Sequence, residues 1–323
     1  MTKRICISGI ISLLLTAWAP ETYAHPAHGI AIDKDNNVFF ADVARTTIWR
    51  CSPDGKLTAH IPSTWTHTIR LQDDGTLYYE RELDVDGVAP AELNRLDPDG
   101  HRRTVIRAER ERKRFGGTGF IVLDDESVLF PYSDRGHDGK WRAFIGKRSK
   151  NGKTVVFAGS KTGRLFIDGP KQRATFRSIT DMALGKNGEI YLLDRDRLRV
   201  ITRDGRTRTI AANLLDQPPT DPPQKRGPPT TINRLYGLAL GADGSFYIAY
   251  HSGRRVIRVS AGGDVETIYE VARPWAPVGV AVRRDKCVIL ETHDDLRKTG
   301  PRLRILEKGG PARTLVTVDR ADR

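Results

Sequence analysis

Sulfur is scarce in this chain: the 323 residues include 3 cysteines and 2 methionines. Cys6 lies in an N-terminal leader, so Cys51 and Cys287 remain and can form at most one disulfide. Long apolar runs are missing as well. The one such run, Ile5 to Ala19, falls short of the roughly 20 residues a membrane helix needs. There is no nucleophile elbow and no dinucleotide fingerprint. Gly116-Gly117-Thr118-Gly119 leads into a strand, not a helix, which excludes a phosphate cradle. No His-x-x-x-His pair marks a metal site. Aromatic residues are only 7% and are not interleaved with the basic ones, so a nucleic-acid groove is excluded. The formal net charge of +13 is spread along the chain, as in Arg103, Arg164, Arg254 and Arg302, and reads as a solvated basic surface.

Lys3-Arg4, the short apolar run and the small residues Thr22 and Ala24 make residues 1–24 a secretory signal peptide, cut before His25. The expected location is therefore the periplasm or the medium, with no transmembrane segment in the mature chain. In that oxidising setting Cys51 and Cys287 either pair or stay as two buried thiols.

What the chain has in quantity is a repeated hairpin. In Gly237-Leu238-Ala239-Leu240-Gly241-Ala242-Asp243-Gly244-Ser245-Phe246-Tyr247-Ile248-Ala249-Tyr250, two apolar strands flank an Asp-Gly turn, the strongest local hairpin signal. Related copies start after His28, His67, Thr118, Thr180, Tyr236 and Val278, and in each the second strand begins ten residues later. A second hairpin follows every copy. A fixed internal spacing with variable linkers marks a repeated supersecondary unit. Six four-stranded antiparallel units predict an all-β, six-bladed β-propeller over residues 25–323. The blades are expected near 28–60, 67–107, 118–158, 180–212, 236–270 and 278–317, with no swapped strand at the closure.

The pattern of Gly-apolar-Ala-apolar, an Asp-Gly type turn and an aromatic strand ending in Asp resembles NHL repeats. It also resembles the wider group of six-bladed propellers that includes gluconolactonases and peptidylglycine-amidating lyases. The resemblance spans about residues 28–317 and implies the fold more strongly than any activity. Gluconolactonase-like propellers place a metal-binding glutamate near the start of the first blade. Here that region reads His25-Pro26-Ala27-His28-Gly29. The amidating lyases hold a central metal with several histidines, which is closer to this chain.

Turns inside the hairpins are short and fall on one face of the disc. The long connections, 80–93, 108–117, 131–141, 161–178, 214–233 and 291–301, fall on the other. The Pro-rich stretch 214–233 is expected as a stiff lid there. Loops on a rigid scaffold usually carry binding. His28, His67, His251 and His293 all belong to this face, with Asp42, Glu80, Glu82, Asp194 and Glu291 nearby. Imidazoles with carboxylates suit one divalent ion, zinc or calcium, with His28, His67 and His251 as ligands and Asp194 as ligand or base. Hydrogen-bonded residues plugging the channel are the alternative. Tyr132, Tyr236 and His293 are expected on the binding rim. Small residues should line the axis, yet Arg70 and Asp181 break that rule. Either they meet, or Arg70 receives an anionic ligand. Two functions follow: a propeller that binds a small molecule, glycan or protein over this face, or a metal-dependent hydrolase or lyase at the same channel mouth.

Overall fold

The computed structural model describes residues 26–83, 91–107, 119–215, 234–295, 298–307 and 310–319, and the regular structure among them is all strand. Six antiparallel sheets form, each with its own four strands in chain order. The innermost strands are Ile30–Ile32, Ile69–Leu71, Ile121–Val122, Ile179–Leu184, Leu235–Leu240 and Trp275–Arg283. The last sheet is completed by Arg313–Thr317, and among the described residues no strand from the N-terminal end is borrowed. The molecule is a six-bladed β-propeller.

The short turns work as their residues suggest. Gly188 and Gly244 sit at φ 88° and 79°, where a side chain would strain the turn. At the axis the need is different. A Cβ on Gly279 would lie 2.5 Å from the carbonyl oxygen of His28, and one on Gly237 would lie 2.8 Å from Gly279. Backbone meets backbone there, so the inner strands close only because side chains are missing.

Packing between the blades closes the ring. Six apolar clusters lie between the six neighbouring pairs. Ile30, Phe40 and Trp49 of blade 1 pack against Val288, Leu290 and Leu303 of blade 6. Cys51 belongs to that cluster, whereas Cys287 points into the cluster between blades 5 and 6. The two thiols are free and buried. The disulfide option fails because successive residues of a strand face opposite sides of the sheet: Val288 faces blade 1, so Cys287 faces away from it.

Two loop expectations change. The connection at 131–141 is mostly strand, because Val128–Arg135 and Trp141–Arg148 continue as a long hairpin with Tyr132 opposite Phe144. The connection at 161–178 contributes Gly169–Pro170, which pairs with the outermost strand of blade 4 as a fifth strand. The expected leader at 1–24, residues 216–233 of the expected lid, and residues 84–90 and 108–117 of two other long loops lie outside the described residues.

Candidate functional site at the axial mouth

Three of the expected residues meet at the axis. The Tyr236 ring of blade 5 lies 6.0 Å from His28 of blade 1 and 5.6 Å from His251. Blade 6 stands between blades 5 and 1, so rings this close must reach toward the centre. His28 Nε2 is 3.0 Å from Thr68 Oγ1, and its amide donates to the carbonyl of His67 at 3.0 Å. Burial lowers the His28 pKa to about 4, with Asp181 working against the shift and Arg70 and His67 adding to it. Burial also lowers His251, against a hydrogen bond to Pro277. Both imidazoles are therefore neutral near pH 7. His251 Nδ1 is buried without a hydrogen-bond partner.

Arg70 and Asp181 also meet, across blade 3. Arg70 Nη2 binds Asp181 Oδ1, and its other donors reach the carbonyls of Phe120 (3.0 Å), Ile69 (3.0 Å) and Met182 (3.1 Å). Asp181 Oδ2 accepts the amide of Leu238 at 2.8 Å. One ion pair thus ties blades 2, 4 and 5 together where small residues would leave a hole. The Arg70 side chain remains 26% exposed.

The second strands of four blades carry a buried acid at or near their last residue: Asp42, Glu80, Asp194 and Glu291. In three of them both oxygens are engaged. Asp42 accepts from the Arg45 amide and from Trp49 Nε1. Glu291 accepts from Tyr269 and Arg302. Asp194, the expected ligand or base, accepts the amides of Arg177 and Ser178 at 2.8 and 3.0 Å, and its other oxygen accepts Arg199 at 2.9 Å. Burial raises the Asp194 pKa, against Arg199 and those amides. Arg199 is itself buried and binds Asp168 and two carbonyls of the 161–178 segment. This arrangement pins a loop and leaves neither oxygen of Asp194 without a partner.

Glu80 is the exception. Its Oε1 accepts the amides of His67 and Thr68 at 2.6 and 3.2 Å, but its buried Oε2 has no partner. Beside it, His67 Nδ1 lies 3.5 Å from Glu80 and 3.2 Å from Glu82, yet neither ring nitrogen makes an aligned hydrogen bond. Among the described residues, His67, Glu80 and Glu82 are a group whose ligand atoms lie within 4.8 Å of one another, close enough to hold a metal ion. Burial alone would lower the His67 pKa, but the two carboxylates outweigh it and hold it at about 10. Burial raises Glu80, opposed by His67. A proton on the imidazole balances the acids in the same place a cation would. Trp65 Nε1 and Thr180 Oγ1, also on the loop-bearing side of the inner strands, are buried and unpartnered too.

The remaining expected rim residues lie elsewhere. Tyr132 stacks on Phe144 at 5.4 Å in the blade 3 hairpin, and burial pushes its pKa up to about 12. His293 stands edge-on to Trp275 at 5.2 Å, and its Nδ1 accepts the amide of Asp295 at 2.9 Å.

No protein-family model and no curated protein matches the sequence. Solved structures do match in shape. A nidogen/laminin complex aligns at 12% identity over 88% of this chain and 93% of that chain, TM-score 0.58. A gluconolactonase from Xanthomonas campestris aligns at 11% identity over 83% and 84%, TM-score 0.52. A virginiamycin B lyase from Staphylococcus aureus, solved with quinupristin, aligns at 13% identity over 90% and 83%, TM-score 0.50. What they share with this chain is the propeller fold. One of them is a gluconolactonase, a kind of propeller named in the resemblance of the repeats. The propeller has a candidate metal group of its own, built by one hairpin of blade 2.

Proposed function

We propose that this protein is exported and binds a ligand at the axial mouth of its loop-bearing face, with one divalent cation held by His67, Glu80 and Glu82. The observation that carries this reading is Glu80. Alone among these four buried acids of the second strands, it keeps a buried oxygen without a partner, and it does so beside an imidazole with no aligned hydrogen bond. Buried polar atoms are costly unless satisfied, so such a group is kept for something it meets. One neutral imidazole and two carboxylates carry a charge of −2, which a divalent ion balances. Calcium prefers six to eight oxygens, whereas zinc accepts nitrogen with oxygen in a small set. Zinc is therefore the cation of choice. The residues of the leader support export.

The test is metal titration of chelator-treated protein by calorimetry. Zinc should bind at one equivalent and calcium more weakly. His67→Ala should abolish binding, while His28→Ala should retain it, because His28 is committed to Thr68. Loss of binding in neither variant, or no stoichiometric binding at all, removes the cation from the reading.

A second reading, a hydrolase or lyase acting on a small substrate, is favoured by the two neutral imidazoles at the same mouth. His251 has a free buried nitrogen that can accept a proton, and Arg70 can face an anionic group. A bound cation would supply polarisation of a carbonyl or of water. Metal-dependent turnover of an ester, lactone or amide that disappears in His251→Ala would select this reading. The neighbours include a complex between proteins and a complex with a small molecule, so both kinds of ligand belong in the screen.

A further inference from the structure

We propose that the outermost strand of blade 2, Arg102–Ile106, is a docking edge for an extended acidic peptide segment of a partner protein, added as a fifth strand. Among the described residues this strand pairs only with Ala91–Leu96, so one edge of its backbone is unpaired. An unpaired edge is a template for strand addition. The same molecule uses the equivalent position in blade 4, where Gly169–Pro170 pairs with the outermost strand Arg206–Ala211. The fold therefore accommodates a fifth strand at a blade's outer edge.

Blade 2 differs from blade 4 in what flanks that edge. A cleft of about 300 Å³ lies on one side, lined by Ser63, Asn94, Arg81 and Arg102. A second of about 510 Å³ lies on the other, lined by Arg103, Arg107, Arg148 and Lys150, with Glu126 as its one carboxylate. Arg103 and Thr104 border both clefts, and successive side chains leave the strand on opposite faces. Thr104 donates to Asn94 on one side, and Arg103 pairs with Glu126 on the other. Arg102 and Arg107 have no ion-pair partner among the described residues, and Asn94 Nδ2 is buried without a hydrogen bond. An extended chain with carboxylates on both faces matches cations on both sides, while its backbone matches the edge. An anionic glycan would match the charge but not the backbone.

The experiment uses the full chain and a fluorescent eight-residue peptide of alternating Glu and Thr-Val pairs, read by anisotropy. Two N-methylated versions block alternate amides. One version should lose binding at least tenfold and the other should retain it, because only alternate amides of an added strand face the edge. Arg102→Glu with Arg107→Glu should weaken binding at least tenfold, and Arg173→Glu on the exposed surface of another blade should not. Chelator should have no effect, which separates this edge from the axial mouth. No binding, equal behaviour of the two N-methylated peptides, or displacement by a sulfated glycan at matched charge overturns the proposal.

Discussion

Asp181 would become a buried carboxylate without a cation if Arg70 were removed. It would keep the amides of Leu238 and Met182, but the charge would stay inside the disc. Breaking such a pair typically costs about 3 kcal/mol. Arg70→Ala should lower the urea midpoint accordingly, and a change below about 1 kcal/mol would show that the pair does not bridge the blades. His28 gives a prediction in pH. Its folded pKa, about 4, lies below the unfolded value of 6.5, so the unfolded state binds the proton first. Stability from this residue is complete above pH 6.5 and is lost as pH falls toward 4, by up to about 3 kcal/mol. Unfolding measured between pH 4 and 7 should slope less steeply in His28→Gln than in the wild type. Arg70 and Asp181 stand out in the sequence because they interrupt a row of small residues. Their direct pairing needed the fold, since 111 positions separate them.

The hairpin carries more of the site than single residues suggest. Ile69 pairs with Tyr79 and Leu71 with Leu77. Extending that register would put His67 opposite Arg81 and on the face away from Glu80 and Glu82. The three residues are visible in the sequence, but their meeting depends on the ladder ending there, where Glu80 accepts the amides of His67 and Thr68. Asp194 differs from Glu80 in its neighbour: Arg199, on the next strand, folds back on it. At the same scale the inner strands predict their own sensitivity. Gly279→Ala places a methyl 2.5 Å from a backbone oxygen that cannot move alone. It should cost roughly 2–3 kcal/mol by overpacking. Gly262→Ala, with its nearest neighbour at 3.6 Å, should be close to neutral. Denaturant curves of the two variants decide this.

The whole molecule is a ring in which each core is shared by two blades. Cys51 and Cys287 report on the two sides of blade 6, since Cys51 lies in the core that blade 1 shares with it and Cys287 in the core that blade 5 shares with it. Burial pushes their pKa values up to about 11 and about 12, so neither thiol is reactive in the folded state. Both should resist a thiol reagent until the global transition and then react together. Earlier reaction of either would mean that blade 6 opens before the rest. Reductant should not change the melting temperature, because the thiols are free.

Local chemistry is enough to specify this architecture. Asp-Gly turns, alternating apolar residues and a repeat with constant spacing each act over a few residues, and six copies admit few other arrangements. Direction and partnership were settled by closure. Which face of a strand Cys287 takes, which acid keeps an unpaired oxygen and which rings cross the axis depend on side chains from blades far apart in sequence. Those relations exist only after the disc has formed, because burial and the neighbouring blade choose the partner for each polar atom.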